Sequence, residues 1–293
     1  MKAKKIDMHV HTTLRKGIPR LNGENFADAG EVLQMYDFLG VEKGVQLPDI
    51  GPDCAYSIMT NEDAIDLTTA YPNDFYWFCN IDPRWGGNSA DTDLSYFINY
   101  YKERGAKGVG ELCINLHFDD PLIGNLFYHC EICDMPVIFH IGDKGNDYGL
   151  VDGLGLKLLE QSLKKFPKLK FLGHSQKFWA EISGDCTAEI RGGYPSGPVY
   201  PGGRVVELMR SYPNLYGDLS AGSGENAIMR DREFGCGFLE EFQDRLYFGT
   251  DICSPGNRMN LSFYLDGVVE AGEISQECYN KICRENAFSL LNR

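Results

Sequence analysis

Residues 136–174 hold the run Pro136-Val137-Ile138-Phe139-His140, a helical pattern over 155–166, and the run Leu169-Lys170-Phe171-Leu172-Gly173-His174. This is a complete strand–helix–strand unit with a histidine at the end of each strand. Outward from it, the chain repeats the same alternation. Towards the N-terminus, strand patterns at 108–112, 75–80, 44–48 and 6–11 are separated by helical patterns at 90–104, 62–70 and 30–39. A further helix at about 121–134 leads into 136–140. Thr60-Asn61 are good N-cap residues for the helix at 62–70, and Tyr71-Pro72 ends it. Towards the C-terminus, a loop rich in Gly and Pro fills 183–203. A helix at 205–211, a strand at 215–219, a helix at 234–242, a strand at 246–251 and closing helices within 260–271 and 275–291 follow. Alternation predicts a parallel sheet. Eight units in 293 residues predict a (β/α)8 TIM barrel. An open doubly wound sheet is the alternative, but no G-x-G-x-x-G follows a strand, as its dinucleotide-binding version requires. One domain spanning 1–293 is expected, with 183–203 as a βα-loop insertion lying over the active face.

The strand ends carry the chemistry. In Ile6-Asp7-Met8-His9-Val10-His11, residues i and i+2 share a face, which projects His9 and His11 together about 7 Å apart. Paired imidazoles suit a divalent ion such as zinc. Glu111, His140, His174 and Asp251 close four other strands, at the end where barrel enzymes place catalytic groups. Of six histidines, four sit at strand ends, while His117 and His129 do not. The expected metal ligands are therefore His9, His11, Glu111, His140, His174 and Asp251. Arg84, Trp85 and Arg191 are the expected substrate contacts, since a loop arginine clamps a carboxylate with forked hydrogen bonds. Arg15, Arg20 and Lys144 stand in comparable loops. Asp218 reads as a supporting group rather than a ligand.

Composition narrows the partners. A hydrophobic content of 43% supports a sizeable core. No run of about 18 apolar residues suggests a membrane span. Met1-Lys2-Ala3-Lys4-Lys5 lacks the apolar stretch of a signal peptide, so a soluble, cytoplasmic protein is expected. A net charge of -14 weighs against long nucleic acids and leaves a small molecule as the expected substrate. The ten cysteines are scattered, and Cys130-x-x-Cys133 lacks the second pair of a zinc ribbon. Most are expected to be reduced, buried thiols.

His-x-His on the first strand, histidines ending the fifth and sixth, and aspartate on the eighth resemble the amidohydrolase superfamily. Pro136-Val137-Ile138-Phe139-His140, Leu172-Gly173-His174, Tyr212-Pro213-Asn214-Leu215-Tyr216-Gly217-Asp218-Leu219-Ser220 and Phe248-Gly249-Thr250-Asp251 resemble its amidohydrolase-related (amidohydrolase 2) branch. The closing Asn286-Ala287-Phe288-Ser289-Leu290-Leu291 resembles the final helix of that branch. Gly110-Glu111-Leu112 departs from the carboxylated lysine of many members and is similar to the Gly-Glu segment of TatD-like nucleases.

The resemblance implies a metal-dependent hydrolase that cleaves an amide, ester or lactone, with Asp251 and His174 catalytic. The alternative is a non-oxidative decarboxylase of an unsaturated or aromatic acid. A TatD-like nuclease and a metal-binding barrel without catalysis are further readings. In the two-ion scheme His9, His11 and Asp251 hold one ion, His140 and His174 the other, and Glu111 bridges. In the one-ion scheme His9, His11, His140 and Asp251 hold zinc and His174 serves as acid/base. Mn2+ and Fe2+ suit the same donors as Zn2+. A homo-oligomer is the family-level expectation.

Overall fold

The computed structural model describes residues 4–53 and 57–292. Its strands are β1 (Lys5–Val10), β2 (Val41–Gln46), β3 (Phe75–Trp77), β4 (Val109–Leu112), β5 (Val137–Gly142), β6 (Leu150–Val151), β7 (Phe171–His174), β8 (Leu215–Asp218) and β9 (Leu246–Tyr247). They form two parallel ladders, β1-β2-β3 and β4-β5-β7-β8-β9. Two bridges, Cys79 to Val109 and Val10 to Ile252, join the ladders at both seams. Met8 N–H donates to the Phe248 carbonyl at 3.0 Å, and Asp251 N–H donates to the His9 carbonyl at 2.7 Å. The sheet is thus closed into a (β/α)8 barrel. The short β6 pairs with β5 beside the main ladder, is bridged to His117 through Val151, and was not expected from the sequence.

Local chemistry starts the helices. Asp28 and Glu31 form a capping box before helix Ala29–Leu39, and Thr60 and Asp63 form another before Asn61–Ala70. Gly40, with φ 71°, closes the first of these helices in the left-handed conformation. One helix, Ala221–Met229, escaped the sequence reading because Ala-Gly-Ser-Gly resembles a loop. Packing overrides propensity there. A Cβ on Gly224 would lie 2.3 Å from the Leu219 carbonyl oxygen, so the helix sits where only glycine fits. The last barrel strand is also shorter than 246–251. The chain turns at Asp251, whose φ of 56° leaves the extended region.

The barrel interior is layered. Ile6, Met8, Val45, Ile138, Leu172 and Tyr247 form an apolar floor, closed by Ala287, Leu290 and Leu291 of the last helix. Two residues further along β5 and β7 the same face carries His140 and His174. Residues 183–203 contain no helix or strand and lie between the turn Ala180–Ile182 and helix Arg204–Ser211. Among the described residues, no helix is long and apolar enough to cross a membrane.

Candidate metal centre

Five strand ends deliver donors to one point. His9 Nε2 lies 3.0 Å from His11 Nε2. Asp251 Oδ1 is 3.5 Å from the first of these nitrogens and 3.6 Å from the second. Glu111 Oε2 is 3.5 Å from His9 Nε2 and 3.4 Å from His11 Nε2. Its other oxygen, Oε1, meets His140 Nδ1 at 2.9 Å and His174 Nε2 at 3.8 Å. His174 Nε2 also faces Asp251 Oδ2 at 3.8 Å. Glu111 therefore stands between the His9/His11 pair and the His140/His174 pair. Two groups, His9–His11–Asp251 and His9–Glu111–His174, have donor atoms mutually close enough to hold a metal ion. All six residues expected as ligands are brought together.

The outer partners decide which nitrogens are free. His9 Nδ1 donates to Asp218 Oδ2 at 2.7 Å. His11 Nδ1 donates to the Leu47 carbonyl at 3.0 Å. A carboxylate and a carbonyl only accept here, so both protons sit on Nδ1 and both Nε2 lone pairs point inward. Two such lone pairs 3.0 Å apart repel unless positive charge lies between or beside them. Burial alone would lower the His9 ring's affinity for a proton, yet the charges of Asp251, Asp218 and Glu111 raise it well above its ordinary value. Burial would raise the Glu111 carboxyl, but His9, His11 and His140 hold it well below the usual range. The cluster thus draws a cation, and its oxygen and nitrogen donors fit a borderline divalent ion.

Buried groups behind the candidate ligands hold them in place. Asp218 is fully buried and takes Ser220 Oγ as well as His9. Its carboxyl, which burial would raise, is brought far below the carboxylate range by His9 and His174. Asp7, also fully buried, accepts from Tyr36 Oη at 2.7 Å, from the Thr250 N–H at 2.8 Å and from the His9 N–H at 3.0 Å. It therefore ties β1 to the turn carrying Asp251. Burial pushes the Asp7 carboxyl up to about 6 against these hydrogen bonds. Asp218 takes the supporting place expected of it, while nothing in the sequence singled out Asp7, although it lies in the first quoted motif.

A cavity of about 500 Å³ opens over the centre, onto His11, Glu111, His140, His174 and Asp251. Its walls include Arg20, Leu21, Phe26, Asp49, Cys113 and Tyr148. Tyr148 packs against His140 with the rings tilted by 40° and their centroids 4.4 Å apart. Arg20 lies over Phe26 at 4.5 Å. Asp49, whose carboxyl burial raises to about 6, had no signal in the sequence beyond following Pro48. The three residues expected to contact substrate stand elsewhere. Arg84 pairs with Asp82 at 2.6 Å, and Trp85 packs edge-on against Phe97. Arg191 is buried, with Nε on Glu181 at 2.6 Å and Nη1 on the Asp152 carbonyl at 2.7 Å. None of them lines this cavity.

No curated protein matches the chain. Solved structures do. An uncharacterised TIM-barrel protein from Bordetella bronchiseptica superposes with a TM-score of 0.66 at 16% identity, covering 99% of this chain and 100% of that one. A probable 2-pyrone-4,6-dicarboxylic acid hydrolase from Acinetobacter baumannii, solved with citric acid bound, gives 0.58 at 12%, covering 99% and 100%. A dihydroxybenzoic acid decarboxylase from a Polaromonas species, solved with manganese and the inhibitor 2-nitroresorcinol, gives 0.58 at 16%, covering 100% and 98%. These likenesses concern the fold. The amidohydrolase family model matches residues 6–293, which include every candidate ligand from His9 to Asp251, and the chain belongs to the amidohydrolase family.

Proposed function

We propose that this protein is a metal-dependent hydrolase that cleaves an amide, ester or lactone of a small molecule. The observation that carries this reading is the placement of Glu111 between two imidazole pairs, with Asp251 facing the cavity. In it, His9, His11 and Asp251 would hold one divalent ion and His140 and His174 a second, with the Glu111 carboxylate available to both. Zinc suits these donors, and manganese or iron fits them as well. The Gly110-Glu111 pair, similar in sequence to the Gly-Glu segment of TatD-like enzymes, would supply the carboxylate shared between the two ions. Bound there, divalent ions polarise the substrate's carbonyl and bring water near ionisation at neutral pH.

The residues do the rest. Asp251, with 26% of its side chain exposed, is the ligand carboxylate that reaches the cavity most openly; Glu111 has 7%. Asp251 takes the proton of the attacking water and returns it to the leaving nitrogen or oxygen as the carbonyl–heteroatom bond breaks. His174 Nε2 faces Asp251 Oδ2 at 3.8 Å, so both donor atoms point into the same space. Arg20 is the cavity's arginine and would receive a substrate carboxylate.

A second reading, non-oxidative decarboxylation of an aromatic or unsaturated acid, has its own support. The cavity wall is partly aromatic, through Phe26 and Tyr148, and the manganese-containing relative is named as a decarboxylase. Elemental analysis of protein purified without chelator, beside Glu111→Ala, tests the centre. Two ions per chain, falling on mutation, support the bridged hydrolytic site. One ion, unaffected by the mutation, removes the bridge. Carbon dioxide released from a candidate acid then selects the decarboxylase.

A further inference from the structure

We infer that Asp218 is a positioning residue that sets both ligand groups of the metal centre through a single carboxylate oxygen; the inference rests on the metal-centre reading above. Asp218 ends β8 and is fully buried. Its Oδ2 lies 2.7 Å from His9 Nδ1 and 3.2 Å from His174 Nδ1. Ser220 Oγ donates to the same oxygen at 2.7 Å. The other oxygen, Oδ1, accepts the Ser220 N–H at 3.0 Å. The main chain is held as well, because Trp179 Nε1–H donates to the Asp218 carbonyl at 2.8 Å. The segment after β9 leaves room for the carboxylate at Gly249, where a Cβ would come within 2.7 Å of Oδ1.

The consequence follows from donor counting. A carboxylate only accepts, so it selects the Nδ1–H form of both imidazoles and leaves both Nε2 atoms free to bind metal. His9 belongs to the group with His11 and Asp251 and also to the group with Glu111 and His174. One oxygen therefore orients donors on both sides of Glu111. His11 is outside this control, since the Leu47 carbonyl orients it.

The two imidazoles are not held equally. The Ser220 hydroxyl spends its one proton on Asp218, so it can only accept from His174 Nδ1, 3.0 Å away. His174 Nδ1–H is thus shared between Ser220 Oγ and Asp218 Oδ2. His9 Nδ1–H goes to Asp218 alone. Removing Asp218 disturbs both histidines, and removing the Ser220 hydroxyl disturbs His174.

Zinc titration of the metal-stripped full chain against a chromogenic chelator tests this. Asp218→Asn is expected to weaken every zinc ion the wild type binds by about 10–100-fold. Ser220→Ala is expected to weaken only the ion that needs His174, by no more than about tenfold. Wild-type affinities in Asp218→Asn, or the loss of one of two ions only, would overturn the inference. Should Asp218→Asn fail to fold by circular dichroism, the wild type decides. Long-range 15N–1H spectra of the zinc-free, 15N-histidine-labelled chain must show His9 and His174 protonated on Nδ1. A ring of either with its proton on Nε2 and none on Nδ1 would end the proposal. A wild-type chain that takes up no zinc overturns the metal reading instead, and the same spectra still judge whether Asp218 sets the tautomers.

Discussion

The floor of the barrel and the cluster above it are built by the same strands, two residues apart, and they do opposite things. Ile138 and His140 are both on β5, and Leu172 and His174 are both on β7. The floor is dry, and its burial of apolar area stabilises the fold at roughly 25 cal/mol per Å². The cluster above gathers four imidazoles and two carboxylates, with Asp218 behind them, into a volume where each uncompensated charge is costly. It persists because each charge finds its opposite and each Nδ1 finds an acceptor. Stability and chemistry are therefore separable by one step along a strand.

The sharpest break of that separation is Asp251→Asn. It removes the carboxylate that accepts and returns the proton while leaving the floor untouched. Turnover of whichever carbonyl substrate the enzyme accepts should fall by about 10²–10⁴-fold, with an unchanged melting midpoint of the metal-free protein. Full turnover in that variant would exclude Asp251 as the base. The complementary change is Leu172→Ala, at a residue with no exposed surface. It should cost about 2–5 kcal/mol of unfolding free energy by denaturant titration. Metal per folded chain should stay constant, and a coupled loss of metal would show that the two layers are not independent.

How legible each layer was follows the same division. The strands and the convergence of the candidate ligands were readable because strand alternation and strand ends are local properties of the sequence. His9, His140 and His174 stand where the period of two places them. The partners of the supports were not readable because they join residues far apart in the chain. His9 and Asp218 are 209 positions apart, and Asp7 and Thr250 are 243 apart. Arg191 misled for a related reason. In a Gly/Pro-rich loop it reads as an exposed arginine, yet the loop uses it as an anchor on Glu181 and the Asp152 carbonyl. The shortness of β9 was hidden too, since Asp251 adopts its left-handed turn only with its N–H on the His9 carbonyl.

Metal removal acts on the upper layer alone. Chelation should lower the unfolding free energy by about 2.7 kcal/mol relative to protein held at a hundredfold excess of metal over its dissociation constant. The expected signature is a melting midpoint that rises with added zinc and saturates. In Leu172→Ala the same increment should appear on a lower baseline. A midpoint indifferent to metal in the wild type would mean that the cluster is satisfied by protons alone.

The smallest effects belong to the arginines outside and inside the cavity. Arg20 lines it, so Arg20→Gln should raise KM about tenfold or more for a carboxylate-bearing substrate, since a hydrogen bond between charged groups contributes about 1.5–3 kcal/mol. Arg84 instead spends its guanidinium on Asp82, with Nε on Oδ1 at 2.8 Å and Nη2 on Oδ2 at 2.6 Å, and 39% of its side chain is exposed. An exposed pair of this kind contributes about 0–1 kcal/mol. Arg84→Gln should therefore leave KM and kcat within error and shift stability by less than about 1 kcal/mol. A tenfold rise in KM in that variant would mean that Arg84 leaves Asp82 to meet the substrate, and the recognition surface would then extend beyond the cavity to the loop after β3.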